Sequence, residues 1–223
     1  MSTIYSSTAD CRVVNTSASS WASAQGDAST TGTAFSSDNT SYNFGIYNLY
    51  SGGRGGNTFY CSRSYFVFDL SGEDLTKTLS RVRLNIYMDN LGTTGAGWQY
   101  AVPIRATALA GSTADFGNCY TSGTTFGTKL ADAEVISTTA QNHTFEFNAE
   151  SVGIAQSLLG NGTLTLAVIG NYADYLGNVP PLGGYYAQVS FRYADYSGTG
   201  SDPFLDLTYY DGTTNSVFFG TNF

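Results

Sequence analysis

The chain holds a single histidine, His143, placed at the start of a short alternating run. A Ser-His-Asp relay needs such an imidazole between a serine and an acid. No Gly-x-Ser-x-Gly elbow surrounds any serine, so nothing in the pattern selects a nucleophile. The glycine-rich run at 52–56 surrounds Arg54, lacks the Lys-Ser/Thr of a phosphate loop and opens no helix, so it reads as a turn. Glycoside cleavage asks for two carboxyl groups about 5–10 Å apart across a cleft. Asp69, Glu146, Glu150, Asp195 and Asp206 lie on or near predicted strands, yet no spacing pairs two of them. The expectation is a protein that is not an enzyme. Arg63 with Asp69, and Arg192 with a neighbouring acid, are expected as structural ion pairs, and Asp69 is expected to brace the turn at 71–74.

Binding chemistry has more to work with. Asp195 and Asp202, with the carbonyls of 197–201 between them, have the oxygen-rich character of a calcium loop. The alternative is a turn whose side chains cap their own backbone. Trp98, Tyr100, Tyr172, Tyr175, Tyr185 and Tyr186 fall in or beside predicted loops and could form one aromatic rim for a sugar. Tyrosines half-buried at strand ends or in subunit interfaces are the competing reading. Val217, Phe218, Phe219 and Phe223 follow the strand that looks terminal, and they either fold back or dock on another subunit. Cys11, Cys61 and Cys119 make no Cys-x-x-Cys and suggest no zinc site. They read as buried free thiols, with a Cys11–Cys61 disulfide as the alternative.

These residues hang on strands. Between Arg63 and Met88, Phe66, Phe68 and Leu70 share one face, with Tyr65, Val67 and Asp69 on the other. Val82, Leu84, Ile86 and Met88 then share a face, with Arg81, Arg83, Asn85, Tyr87 and Asp89 opposite. A period of two predicts strands with one buried face. Further strands are predicted at 10–15, 44–50, 58–70, 98–109, 133–137, 143–148, 163–170, 185–196 and 203–211. Residues 17–43 read as a surface excursion pinned at Trp21 and Phe35, and 110–128 as a loop anchored by Phe116, Tyr120 and Phe126. Only 149–159 has a helical stripe, Val152, Ala155, Gln156 and Leu159, between an Asn148 N-cap and Gly160. The expected fold is all-β: a single β-sandwich, jelly-roll-like, with one short crossover helix near 149–159. Its parts are a Ser/Thr-rich arm with a first strand (1–43), the sandwich (44–210) and an aromatic tail (211–223).

Composition narrows the function classes. The 223 residues carry 26 glycines and 17 tyrosines, and only 12% are charged, a balance typical of extracellular or virion β proteins. The net charge of −8 and the absence of any basic run argue against nucleic acid and against an anionic membrane surface. No apolar run reaches the ~20 residues of a membrane-spanning helix.

The order of several motifs resembles the DNRLRE-type β-sandwich domain, a relative of carbohydrate-binding modules. They are Asn43-Phe44-Gly45; Arg63 before an aromatic strand ending Phe68-Asp69-Leu70-Ser71; and a following strand, Arg81 to Tyr87. The later ones are Phe145 to Asn148 running into a helix, and Pro203-x-Leu205-x-Leu207-x-Tyr209. The resemblance spans roughly residues 40–210. It implies a sandwich fold and surface-protein or glycan-binding roles. The first ten residues lack a basic region and an apolar core, so no signal peptide is expected. Extracellular character without an export signal is the pattern of a bacteriophage virion protein, although a chain trimmed of its leader would look the same. The leading expectation is therefore a virion structural protein, a capsid decoration or a fibre or tail appendage. Its partners would be other virion proteins and itself, as a homo-oligomer such as a trimer. The alternative is an extracellular or cell-surface carbohydrate-binding module. No cofactor is expected beyond calcium.

Overall fold

The computed structural model describes residues 1–37, 44–53, 56–93, 100–136, 139–180, 187–194 and 199–210. Its first strands are β1 (Ser2–Tyr5), β2 (Cys11–Ser17), β3 (Ala34–Ser36), β4 (Phe44–Gly53), β5 (Gly56–Asp69), β6 (Leu79–Thr93) and β7 (Tyr100–Arg105). They are followed by β8 (Tyr120–Ser122), β9 (Thr125–Phe126), β10 (Glu134–Val135), β11 (Gln141–Glu146), β12 (Thr163–Gly170), β13 (Ala187–Phe191) and β14 (Phe204–Tyr209). Two α-helices, α1 (Trp21–Gln25) and α2 (Ala149–Leu158), a 3-10 turn (Thr113–Cys119) and a π turn (Asn171–Tyr175) complete the parts used below.

The long strands β5 and β6 organise the rest, but they do not pair with each other. At one end they are bridged: the first half of β5 pairs with β4, β4 with β13, and β13 with the last residues of β6. At the other end they separate into two sheets. One contains β11, β6, β14 and β1; the other contains β3, β2, β5, β12, β7 and β10. All these pairings are antiparallel, and β1 does not meet β10, so the sheets form an open β-sandwich rather than a barrel. Tyr65 and Phe66 register with Ala167 and Leu166, and Leu84 with both Phe145 and Leu205.

Alternation explains the inter-sheet core. Phe66 and Phe68 of β5, and Leu70 just past its end, face Val82, Leu84, Ile86 and Met88 of β6, joined by Phe145, Leu164, Leu166, Leu205 and Leu207, all buried. Each such side chain contributes about 1.5–3 kcal/mol on leaving water. Helix α2 carries the chain from one sheet to the other and closes the core with Ala155 and Leu159. The Asn148 side chain accepts a hydrogen bond from Ser151 N at 2.9 Å, and Gly160 takes the positive φ that ends the segment. Gln156, on the same stripe, is not apolar filler. Its Oε1 accepts from Leu79 N at 2.6 Å and its Nε2 donates to Lys77 O at 3.0 Å, pinning the helix to the start of β6.

Several expectations are corrected here. The opposite face of β5 is covered from Phe59 to Tyr65. Phe59, Cys61, Arg63 and Tyr65 are buried under a second core, with Cys11, Val13, Trp21, Phe116, Cys119 and Ala173. In the segment read as an arm with a first strand, that strand is β2, which pairs with β5, and a further strand, β1, pairs with β14. Because β2 supplies the outer row of that sheet, Trp21 and its helix lie across it. Helix α1 was not anticipated, because five residues of Trp-Ala-Ser-Ala-Gln carry no apolar period. Strand β12 shows why a run at 163–170 is apolar at nearly every position. Leu164, Leu166 and Val168 face the first core, while Ala167 and Ile169 face the second.

Candidate functional site

The second core is built around a charge. Arg63 is fully buried on the outer face of β5. Its Nε and one terminal nitrogen donate to the two Asp174 oxygens at 2.7 and 2.6 Å. The other terminal nitrogen donates to the Phe116 carbonyl (2.9 Å), and the one facing Asp174 also reaches the Gln25 carbonyl (2.8 Å) and the Tyr120 hydroxyl (2.7 Å). The guanidinium carbon lies 4.1 Å from the Phe116 ring centre and 4.8 Å from that of Tyr120. Burial alone would push the Arg63 guanidinium down, but the facing Asp174 carboxylate reverses this and holds it charged. One side chain thus ties β5 to α1, the 3-10 turn, β8 and the π turn. Trp21 Nε1 adds a bond to Ala173 O at 3.2 Å, and Tyr65 Oη one to Phe116 O at 2.8 Å. Gln25 Nε2 also bonds Asp174 O. With its donors engaged inward, this centre is a strut.

Asp69 is therefore not the partner of Arg63. Thr163 sits opposite it on β12, and its carboxylate accepts from Ser71 N at 2.9 Å, as the turn-bracing role required. Arg192 bonds Ser201 Oγ at 2.8 Å and stands 4.2 Å from the Tyr87 ring centre.

On the outer face of the other sheet, Arg83 stands between Glu146 on β11 and Asp206 on β14. This is the carboxylate pair the sequence did not pick out. Arg81 and Arg83 both bond Glu146 and hold its carboxyl below the usual range. A general acid needs the opposite shift. His143 faces inward from β11, and burial pushes its imidazole down.

The three cysteines are free and buried. Cys11 registers with Tyr65 and Asn15 with Cys61, so Cys11 and Cys61 stand four positions apart along paired strands, about 13 Å. A disulfide tolerates about 7 Å. Burial pushes the Cys11 thiol up to about 12 and the Cys119 thiol to about 11, the reverse of a reactive cysteine.

A cleft of about 680 Å³ opens beside this second core, where the outer face of β5 and β12 is left uncovered. Val67, Thr163 and Thr165 line its floor, Ala9 one side, and residues 105–109, 118, 120–121 and 127–128 the other. Its wall is fixed by backbone hydrogen bonds, Arg105 N to Thr128 O (2.8 Å), Ala106 N to Thr165 O (3.0 Å) and Thr107 N to Asn118 O (2.9 Å). Gly127 is required there, because a Cβ would stand 2.2 Å from the Arg105 carbonyl oxygen. Behind the wall, buried Asp115 accepts from the amides of Ala110, Gly111 and Ser112 and from Asn118 Nδ2.

Of the expected aromatic rim, Tyr100 begins β7, whose neighbour Ala101 registers with Gly170, and the π turn bearing Tyr172 and Tyr175 follows at once. Those three share one end of the molecule. Tyr172 and Tyr175 are half-buried against the second core, Tyr175 with its ring centre 5.4 Å from that of Phe126. Trp98, Tyr185 and Tyr186 lie outside the described residues, as do Asp195 and the tail with Val217, Phe218, Phe219 and Phe223. Asp202 is buried. Among the described residues no three His, Cys, Asp or Glu side chains gather as a metal site, and no helix is long and apolar enough to cross a membrane. A scan against protein-family models finds no match to the chain, and a search of curated proteins finds none either.

The groove and the Arg63 centre escaped sequence reasoning. Both are assembled from segments far apart in the chain. The one usable signal was Arg63 itself, a charge on a strand position between Cys61 and Tyr65, its neighbours on the same face.

Proposed function

We propose that this protein is a non-enzymatic structural protein of a bacteriophage virion, a capsid decoration or a fibre or tail appendage, on a DNRLRE-like sandwich. The observation that carries this reading is the Arg63 strut, which locks three surface excursions onto one sheet and makes the sandwich a stiff body for presenting loops. The low content of charge suits an exterior particle protein. Strand β14 ends at Tyr209, and the exposed Tyr210 is followed in sequence by the apolar tail. The tail then docks on a neighbouring subunit or another virion protein. The hydrodynamic size of the protein with and without residues 211–223 tests this. Assembly of the full chain, with a folded monomer after truncation, is the expected result. Identical monomers would overturn it.

Glycan binding is the second reading, favoured by Tyr100, Tyr172 and Tyr175 at one end of the molecule. It predicts that Tyr172→Ala and Tyr175→Ala weaken glycan affinity.

A further inference from the structure

We infer that the tyrosine end of the sandwich receives the aromatic tail of a second copy of this chain, so that copies join head to tail. The inference rests on the tail-docking reading above and names the surface that receives the tail. Exposed apolar side chains carry it, since clusters of them mark interaction surfaces. Among the described residues seven large ones are exposed, and they are not spread evenly. Met1, Leu75 and Tyr210 stand at one end. There Leu75 lies against Gly160, Tyr210 N bonds Thr78 O at 2.8 Å, and Ser2 registers with Leu207. Val135, Leu176 and Val179 stand at the other end, Val135 opposite Tyr100 and the other two just after the π turn. Strand β12 runs between the ends, from Thr163 beside Asp69 to Gly170 beside Ala101, about 23 Å. Of the seven, only Tyr5 falls on a sheet face, against Phe204.

The occupant follows from where the chain continues. Residue 211 is bonded to Tyr210, so the segment with Val217, Phe218, Phe219 and Phe223 starts from the first end. Fully extended, the chain from Tyr210 to Val217 spans about 25 Å at most, barely the length of β12. Its own far end is therefore hard for Val217 to reach, whereas the far end of a copy stacked end-on is adjacent. Such a contact joins two different surfaces, so it repeats from copy to copy and either closes a ring or runs on as a fibre. The receiving surface is preformed. Asp174 ties the π turn to Arg63 at 2.6 Å, Leu176 N bonds Asn171 O at 2.9 Å, and Asn178 Nδ2 bonds Tyr172 O at 3.0 Å. Leu176 and Val179 stand out from this pinned segment, beside the half-buried Tyr172 and Tyr175. Aliphatic and tyrosine surface of this kind suits phenylalanine rings. Three of them bury about 150–250 Å² each, a large part of the ~800 Å² one partner gives to a stable interface. The cleft, with Thr163 and Thr165 on its floor, is the less apolar receiver.

Sedimentation velocity of two full-length variants, alone and mixed, tests this. The head variant carries Leu176→Asp and Val179→Asp; the tail variant carries Phe218→Asp and Phe219→Asp. The unaltered chain is expected to self-associate. Each variant alone should do so about a hundredfold more weakly, from two contacts each of the tenfold class. Mixed, they should form a 1:1 pair and grow no further, because one intact tail then meets one intact head. The thermal midpoint of the head variant should match that of the unaltered chain, since Leu176 and Val179 are exposed. The milder pair Leu176→Gln and Val179→Thr should weaken association in the same direction, so a folding defect cannot imitate the result. Undiminished association of the head variant, with the tail variant monomeric, would overturn this inference and leave tail docking to another surface. Failure of the two variants to pair would overturn it as well. A monomeric unaltered chain would overturn both this inference and the tail-docking reading.

Discussion

The two cores of this molecule are held by different physics. The inter-sheet core is predominantly apolar, and most of its side chains are placed by the pleat of the strand that carries them. Its stability is a sum of many similar burials, and any one is replaceable by another apolar group of like volume. The outer core has fewer aliphatic residues and is stitched from short, irregular segments around one guanidinium. There the geometry is set by hydrogen bonds radiating from Arg63. A buried ion pair need not stabilise relative to an apolar substitute, but breaking one partner leaves an uncompensated charge. The first core tolerates change gradually; the second should fail at single points.

The largest effect expected follows from that difference. Arg63→Met leaves the Asp174 carboxyl buried without its partner and should cost about 3–5 kcal/mol, read as a shift of the urea midpoint. The double variant Arg63→Met with Asp174→Leu should regain much of it. If the single change costs less than a core truncation, the contrast between the cores collapses. In the first core Leu84→Ala should cost about 2–5 kcal/mol, with the folded spectrum otherwise retained.

The cysteines sharpen the comparison, because Cys11, Cys61 and Cys119 all lie in the outer core. Native protein at pH 8 should leave all three unreactive towards a thiol reagent. In sub-denaturing urea they should become reactive before the inter-sheet core melts, if the outer cover opens as a separate unit. Labelling that tracks global unfolding would show the two cores to be one cooperative body.

His143 gives a smaller, pH-dependent effect. Burial lowers its pKa in the folded state, so the unfolded chain binds the proton more readily. Stability from this group is complete above the unfolded value of about 6.5 and falls as pH drops from there through the folded value. His143→Gln should flatten that part of the stability–pH curve. Least of all, Asn148→Ala removes the α2 cap and should cost about 1 kcal/mol.

What the sequence by itself determined is the part ruled by local period. Phe66 to Leu70 and Val82 to Met88 announced their buried face, Asn148 and Gly160 bounded α2, and the apolar run at 163–170 marked a strand covered on both sides. Those features depend on neighbours two to four residues away, so they survive without knowledge of the fold. Aromatic anchors at Trp21, Phe116, Tyr120 and Phe126 were also legible as anchors, but not what they hold. The partner of Arg63 was decided only by tertiary structure. Asp69 is six residues away yet points to its own turn, while Asp174 is 111 residues distant and meets the guanidinium. The cleft at Arg105 belongs to the same class. Its threonines come from the segment after β7, from β8 and β12, and from the segment before β10, and no period within any one of them encodes their meeting. Strand pairing places those segments side by side, and pairing partners are chosen by the whole sandwich.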